Sequence, residues 1–223
     1  MDEHDLPGLS LDVIDVALPG LTLRVRALAD LNQYRPDPEA EAVGVSDAQW
    51  PLFGVVWPAS RVLAHRLALR PAEDLAGRHI LEMGCGLGLP SLVLAARGLG
   101  VLATDVHPRC GDFLAHNAAL NALPPVPFVR RGWTEPDDPP LGTFDLLLAS
   151  DVLYEPDHVD QLAGFVARHA AERAEVWVVD AGRGNHQRFT RALTAQGFTM
   201  SRVRPTDLEP SLTKGWELTY ARG

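Results

Sequence analysis

The sequence predicts an α/β protein built on a seven-stranded, mostly parallel sheet whose last strand is antiparallel, and three stretches carry that expectation. Residues 78–96, RHILEMGCGLGLPSLVLAA, place a short apolar run (Ile80, Leu81, Met83) before glycines at 84, 86 and 88. Leu89, Leu92, Val93 and Ala96 then recur at helical spacing. That order is a buried strand, a glycine turn and a helix folded back on the strand. Residues 144–150, FDLLLAS, are almost continuously apolar, the mark of a central strand covered on both faces. Residues 198–204 and 216–220 close the chain as two strands that form an antiparallel pair.

The other elements follow in order. Residues 1–19 carry scattered acids, Gly and Pro and read as an irregular arm. Leu21, Leu23 and Val25 alternate with polar residues as in a half-exposed strand. Residues 29–47 are polar and contain prolines, which predicts a long loop or flap. Pro58 suits the first turn of a helix on which Ala59, Leu63 and Leu67 recur, so Trp57 stands just before that helix. A second strand covers residues 101–105. A helix then opens near Pro108 with Asn117 and Asn121 on one face, and residues 127–130 make a short third strand. Residues 134–142 are acidic and rich in proline, a surface loop. Val159, Leu162, Ala163, Val166 and Ala170 form a clean helical stripe after Pro156. Residues 176–180 are a fifth strand, and a last helix carrying Phe189, Ala192 and Leu193 stops at Gly197.

The 223 residues suffice for one globular domain with a sizeable core; residues 1–50 are expected to form an N-terminal arm, strand and loop, and residues 51–223 the domain proper. Hydrophobic residues make up 46% and charged residues 22%, ordinary for a soluble protein. The net charge of −9 and the lack of any Lys/Arg run disfavour nucleic acid as a partner. Cys85 and Cys110 match no zinc spacing and form no disulfide framework, so no metal is expected and Cys85 reads as a small filler. The N-terminus lacks an apolar signal region and no apolar run approaches membrane-spanning length, which predicts a cytoplasmic monomer that does not associate with membranes.

Three glycines within five residues imply a ligand lying on the loop, because glycine permits φ > 0 and close approach to the backbone. A dinucleotide fingerprint, G-x-G-x-x-G, would need glycine at position 89, which is Leu. The spacing is G-x-G-x-G, with Glu82 two residues before it. Asp105 ends the second strand about 20 residues on, where an acid serves a ribose diol. Trp57 and Trp133 are placed to cover a ligand, Trp133 by stacking. Acid-x-Gly-x-Gly-x-Gly with a following ribose acid resembles motif I of the Rossmann-like, class I S-adenosylmethionine (SAM) methyltransferases.

The resemblance widens along residues 45–200. Trp57-Pro58 before the first strand, LEMGCGLG, Ala103-Thr104-Asp105, Arg131-Gly132-Trp133 and Ser150-Asp151-Val152-Leu153-Tyr154 together are similar to methyltransferase family 16, which includes METTL21-like and electron-transfer-flavoprotein β-subunit lysine methyltransferases. Asp180-Ala-Gly-Arg-Gly-Asn-His resembles the D-P-G-R-G segment of bacterial members, with Ala181 in place of proline. Carried over by position, the resemblance implies SAM held by Trp57, Gly84, Cys85, Gly86, Asp105, Trp133 and Ser150, with Glu82 orienting the loop or meeting the SAM amino group through water. It implies Asp151 and Tyr154 as the catalytic pair that holds an acceptor amine. The expected activity is methyl transfer to a protein lysine. A small-molecule amine acceptor and a SAM-binding module without turnover are the alternatives, and acceptor specificity is expected in the 29–47 and 134–142 loops. Asp138-Pro139-Pro140 looks like a base-methylase motif but precedes the fourth strand instead of ending it. His158 and His186, near strand ends, are placed either to line the acceptor pocket or to sit as solvated loop residues, and the second is expected.

Overall fold

A computed structural model describes residues 9–33 and 36–223. The hairpin of β1 (Leu11–Leu18) and β2 (Leu21–Leu28) comes first, followed by the short helix α1 (Pro38–Ala42), a 3₁₀ turn over Trp50–Gly54 and α2 (Pro58–Leu69). Strands and helices then alternate: β3 (Ile80–Met83), α3 (Leu89–Ala96), β4 (Leu102–Asp105), α4 (Cys110–Leu120), β5 (Phe128–Arg130), β6 (Phe144–Ser150), α5 (Pro156–His169), β7 (Ala170–Asp180) and α6 (His186–Ala195). β8 (Thr199–Val203) and β9 (Trp216–Arg222) end the chain. The main sheet has the order β5-β4-β3-β6-β7-β9-β8. Its first five strands run parallel, and β9 is antiparallel to both neighbours. This is the expected seven-stranded fold of class I SAM methyltransferases.

The strand order reverses between β3 and β6, so the crevice at their carboxyl ends is where an open α/β sheet binds ligands. Both faces of these strands are covered. Ile80, Leu146 and Leu148 pack into the core with α2, α3, α4 and the hairpin, while Leu81, Met83, Leu147 and Ala149 pack with α5 and α6. That alternation explains why FDLLLAS is apolar at all but Asp145 and Ser150. Among the described residues no helix is long and apolar enough to cross a membrane.

The two asparagines of α4 face β2. Asn117 Oδ1 accepts from the Arg26 amide at 2.7 Å while its Nδ2 donates to the Arg26 carbonyl at 3.3 Å. Asn121 does the same to Arg24 at 2.8 and 2.7 Å. The hairpin is thereby fastened to the domain.

Three expectations need correction. Of the arm expected over residues 1–19, residues 1–8 lie outside the described residues, but 11–18 form a strand paired with β2 from Leu11↔Leu28 to Leu18↔Leu21. The 29–47 stretch, with Tyr34 and Arg35 outside the described residues, contains α1, capped by the Asp37 carboxylate, which accepts from the Ala40 amide at 3.3 Å. The fifth strand starts at Ala170, not 176, running straight out of α5.

Candidate active site

The turn between β3 and α3 is folded against β4: the Cys85 amide donates to the Thr104 carbonyl at 3.0 Å and the Gly86 amide to Asp105 Oδ2 at 2.9 Å. Gly84 and Gly86 have φ of +67° and +53°, in the left-handed region. A Cβ on Gly84 would stand 2.9 Å from Val152 Cγ1 and 3.3 Å from Trp133 Cζ2, and one on Gly86 3.1 Å from the Phe53 carbonyl oxygen. The missing side chains keep a floor open beneath a cavity of about 510 Å³, within the range that encloses a cofactor-sized ligand.

That cavity spans the ends of β4, β3 and β6, and Trp57, Gly84, Cys85, Gly86, Asp105, Trp133, Ser150, Asp151 and Tyr154 all line it. Asp105 accepts from Gly86 and, through Oδ1, from the His107 amide at 2.9 Å. Burial raises its pKa and these bonds oppose the rise. The Cys110 thiol and the Val106 amide also bond to it, so the carboxylate is held in place at the cavity wall. Trp57 caps α2 and anchors its indole N–H on the Leu52 carbonyl at 3.0 Å. The hydrogen bond of Cys85 with Cys110 pulls the Cys85 thiol pKa down. Burial and the nearby Asp105 and Glu82 outweigh it and leave the pKa at about 11, so Cys85 is a neutral filler.

Glu82 is the exception. It is buried and does not line the cavity. Its Oε2 accepts from the Ser91 amide at 3.0 Å and from the Ser91 hydroxyl, tying the strand to the first turn of α3. Burial, with the Asp105 charge adding, pushes its pKa up to about 8.

At the β6 end, Asp151 takes φ +54°, a conformation that non-glycine residues hold only where surrounding structure enforces it. Its amide donates to the Val179 carbonyl at 2.9 Å. It does not cap α5, whose N-cap is Glu155. Tyr154 meets the His158 ring edge-on at 4.6 Å, and His158 in turn meets Trp133 at 5.4 Å. Burial first, then the carboxylates of Asp105, Glu155 and Asp151, push the Tyr154 pKa up to about 12. The phenol is therefore neutral across the physiological range.

Several lining residues escaped the sequence reading. His158, half-buried, takes the other of its two sequence readings: it lines the cavity and its Nδ1 lies 3.2 Å from the Val152 carbonyl. His186 is also buried, 3.5 Å from Asp180, but outside the cavity. Gln49 reaches across to Glu155 at 2.9 Å, and with Val43, Gly44 and Val45 it brings the 29–47 stretch into the wall. The 134–142 loop contributes only Thr134. Arg131 holds that loop by donating to the carbonyls of Pro136, Asp138 and Pro139. Arg183, between two glycines, pairs with Asp151. Its setting between glycines was the one visible signal.

A glycine floor, a carboxylate fixed at the cavity wall and two indoles fit an adenosine-bearing ligand such as SAM. Asp151 and Tyr154 fit a cationic group at its reacting end.

Comparison with known proteins agrees. The profile of a family described as lysine methyltransferase (methyltransferase family 16) matches residues 47–195, about two thirds of the chain. The histone-arginine methyltransferase METTL23 of Xenopus laevis is 33% identical over 129 residues, 55% of this chain and 54% of the relative. The electron transfer flavoprotein beta subunit lysine methyltransferase of Mus musculus is 30% identical over 118 residues, 52% of this chain and 44% of the relative. The chain thus spans about half the length of the curated relatives it matches. Among solved structures, magnesium protoporphyrin IX methyltransferase (ChlM) from Synechocystis PCC 6803 with bound SAM superposes with a TM-score of 0.60 at 17% identity, covering 74% of this chain and 80% of that one. The T. thermophilus 16S rRNA N2 G1207 methyltransferase (RsmC), in complex with AdoMet and guanosine, superposes with a TM-score of 0.67 at 18% identity, over 98% of this chain and 52% of that one. At such identities the likeness is one of fold.

Proposed function

The chain belongs to the lysine methyltransferase family, methyltransferase family 16, and we propose that it is an enzyme that methylates a protein lysine side chain with S-adenosylmethionine as donor. The observation that carries this reading is the shared cavity: the glycine loop and Asp105 at one side, and the strained Asp151 with the neutral Tyr154 at the other.

When bound, SAM supplies an electrophilic methyl on a sulfonium, open to in-line attack. The chain's residues position and dehydrate the reactants. Asp105 accepts the ribose hydroxyls, the Gly84–Gly86 turn lets the amino-acid end reach backbone amides, and Trp133 covers the adenine. Ser150 and Trp57 complete that wall, and Glu82 holds the turn against α3. Asp151 attracts an ammonium to the mouth and orients it. Tyr154 presents a neutral oxygen and a ring face to it. A lysine with an ordinary pKa near 10.4 must lose a proton before it attacks. Asp151 favours the charged form and burial disfavours it, so the proton leaves to solvent as the amine is enclosed. The overall acidity of the chain suits a basic protein segment as the bearer of that lysine.

The test is transfer of tritiated methyl from SAM into a lysate of the source organism, followed by acid hydrolysis and amino-acid analysis. Methyl-lysine in a protein band, lost with Asp151→Asn, supports the reading. Methylarginine, or label only in low-mass material, replaces lysine as the acceptor. No label in any fraction, with SAM bound, sinks the enzymatic reading.

A further inference from the structure

Asp151 already has a cation. Nη2 of Arg183 lies 3.4 Å from its Oδ1 and 3.5 Å from its Oδ2, beyond the roughly 2.7–2.9 Å of a well-seated charge-assisted bond. The Asp151 side chain is 8% exposed and that of Arg183 48%, so the guanidinium approaches from the solvent side and covers a nearly enclosed carboxylate. Arg183 also lines the cavity.

The segment that carries it is fixed at both ends and free between them. Ahead of it, the Gly182 amide donates to Asp180 Oδ2 at 2.8 Å. Behind it, Asn185 Nδ2 donates to the Leu153 carbonyl at 2.8 Å. Gly182 and Gly184 hold φ of +85° and +95° on either side of Arg183; a Cβ on Gly182 would stand 3.4 Å from the Gly215 Cα, while among the described residues nothing stands within 4 Å of one built on Gly184. The long contact, the half-exposed partner and the two flanking glycines describe a side chain that can leave without disturbing the sheet.

We propose that Arg183 is a displaceable internal counter-ion that occupies Asp151 in place of the acceptor ammonium, so that the acceptor binds by swinging the guanidinium out on the 182–184 segment. This rests on the reading of Asp151 as the acceptor site. Two cations drawn to one carboxylate repel each other, so retention of Arg183 weakens entry of the lysine and entry of the lysine favours release of Arg183. A neutral side chain gains nothing that repays the displacement, whereas an ammonium takes over the same oxygens. Arg183 is therefore a positioning residue that makes the site selective for cationic acceptors.

The test uses the full chain saturated with S-adenosylhomocysteine and two probes: N-acetyl-lysine N-methylamide and its uncharged counterpart, N-acetyl-norleucine N-methylamide. Ligand-observed NMR titrations are run at low ionic strength on the wild type, Arg183→Gln, Arg183→Lys, Asp151→Asn and the Arg183→Gln/Asp151→Asn double variant. Arg183→Gln should bind the lysine probe about three- to fivefold more tightly, the scale of one partly exposed ion pair. Norleucine binding and S-adenosylhomocysteine affinity should not change. Arg183→Lys should stay near the wild type, and the gain should vanish when Asp151 is replaced by asparagine. Lysine-probe binding no tighter in Arg183→Gln, undetectable binding included, overturns the proposal, as does a gain that persists without Asp151. If S-adenosylhomocysteine fails to bind the wild type, the cofactor site itself is refuted, a failure distinct from that of the counter-ion.

Discussion

Replacing Glu82 by glutamine should change how the stability of the ligand-free protein depends on pH. Burial, reinforced by Asp105, pushes the Glu82 pKa from an ordinary 4.5 up to about 8 in the folded chain, against the pull of two bonds from Ser91. Between those values the unfolded chain has released a proton that the folded chain retains. The unfolded state therefore binds fewer protons, and stability falls as pH rises through the window. The loss is complete near pH 8 and absent below pH 4.5. At about 1.4 kcal/mol per pH unit, the penalty is roughly 1 kcal/mol at pH 5 and about 3 kcal/mol at pH 7. The substituted glutamine is neutral in both states, so it carries no such slope. Its amide N–H groups take the place of Oε1, which has no hydrogen-bond partner among the described residues, and add a cost of about 1–3 kcal/mol that does not vary with pH. The diagnostic is thus the change in the gap, not its sign at one pH. Thermal melts of both proteins from pH 5 to pH 8 should show the variant gaining about 2 kcal/mol on the wild type between pH 5 and pH 7. At about 2–4 °C per kcal/mol for a chain of this size, that is roughly 4–8 °C. Parallel curves would refute the reasoning, because they would mean that Glu82 ionises as readily in the fold as out of it.

The cofactor wall and the hairpin give two further tests. S-adenosylhomocysteine should raise the melting temperature of the wild type by mass action. Asp105→Ala should abolish the rise while the protein stays folded, and Trp133→Ala should weaken binding by about 1–3 kcal/mol by calorimetry. A Trp133→Ala affinity within twofold of the wild type would remove that indole from the site. Asn117→Ala takes from the Arg26 amide its acceptor inside the core and should cost about 1–3 kcal/mol of stability without changing cofactor affinity. The more exposed Asn121→Ala should cost less, and equal losses at the two positions would show that burial does not set the difference.

What the sequence made legible was what repeats or what chemistry demands. β3, β6 and α5 announce themselves because a two-sided strand is apolar at most positions and a one-sided helix every third or fourth. The glycine turn and Asp105 are legible because few other residues tolerate φ > 0 or would serve the proposed ribose diol there. β1 is not, because half of its side chains are exposed and its acids break the pattern. Its one local signal is Pro19-Gly20, with Gly20 at φ +76°, a pair suited to a tight type II turn. The first half of β7, AAERA, consists of good helix formers. It is held extended from outside, by Arg222 donating to the carbonyls of Ala170, Ala171 and Glu172. Gln49 and Arg183 join the site from irregular segments and His158 from the first turn of α5, so their place in the wall depends on how distant parts of the chain meet there.

The asparagine clamp also has a dimensional logic. Two residues of extended strand advance about 6.7 Å, and four residues of helix about 6.0 Å. Arg24 to Arg26 and Asn121 to Asn117 are those two steps laid side by side, so each amide meets a backbone N–H and C=O pair in register. One turn of α4 thereby imitates a neighbouring strand. The β2 margin, which would otherwise offer an unpaired ladder to any extended segment, is already occupied by side chains. Shortening either asparagine would do more than loosen the hairpin: it would expose a sticky border and turn a folding defect into a tendency of one molecule to pair with the next.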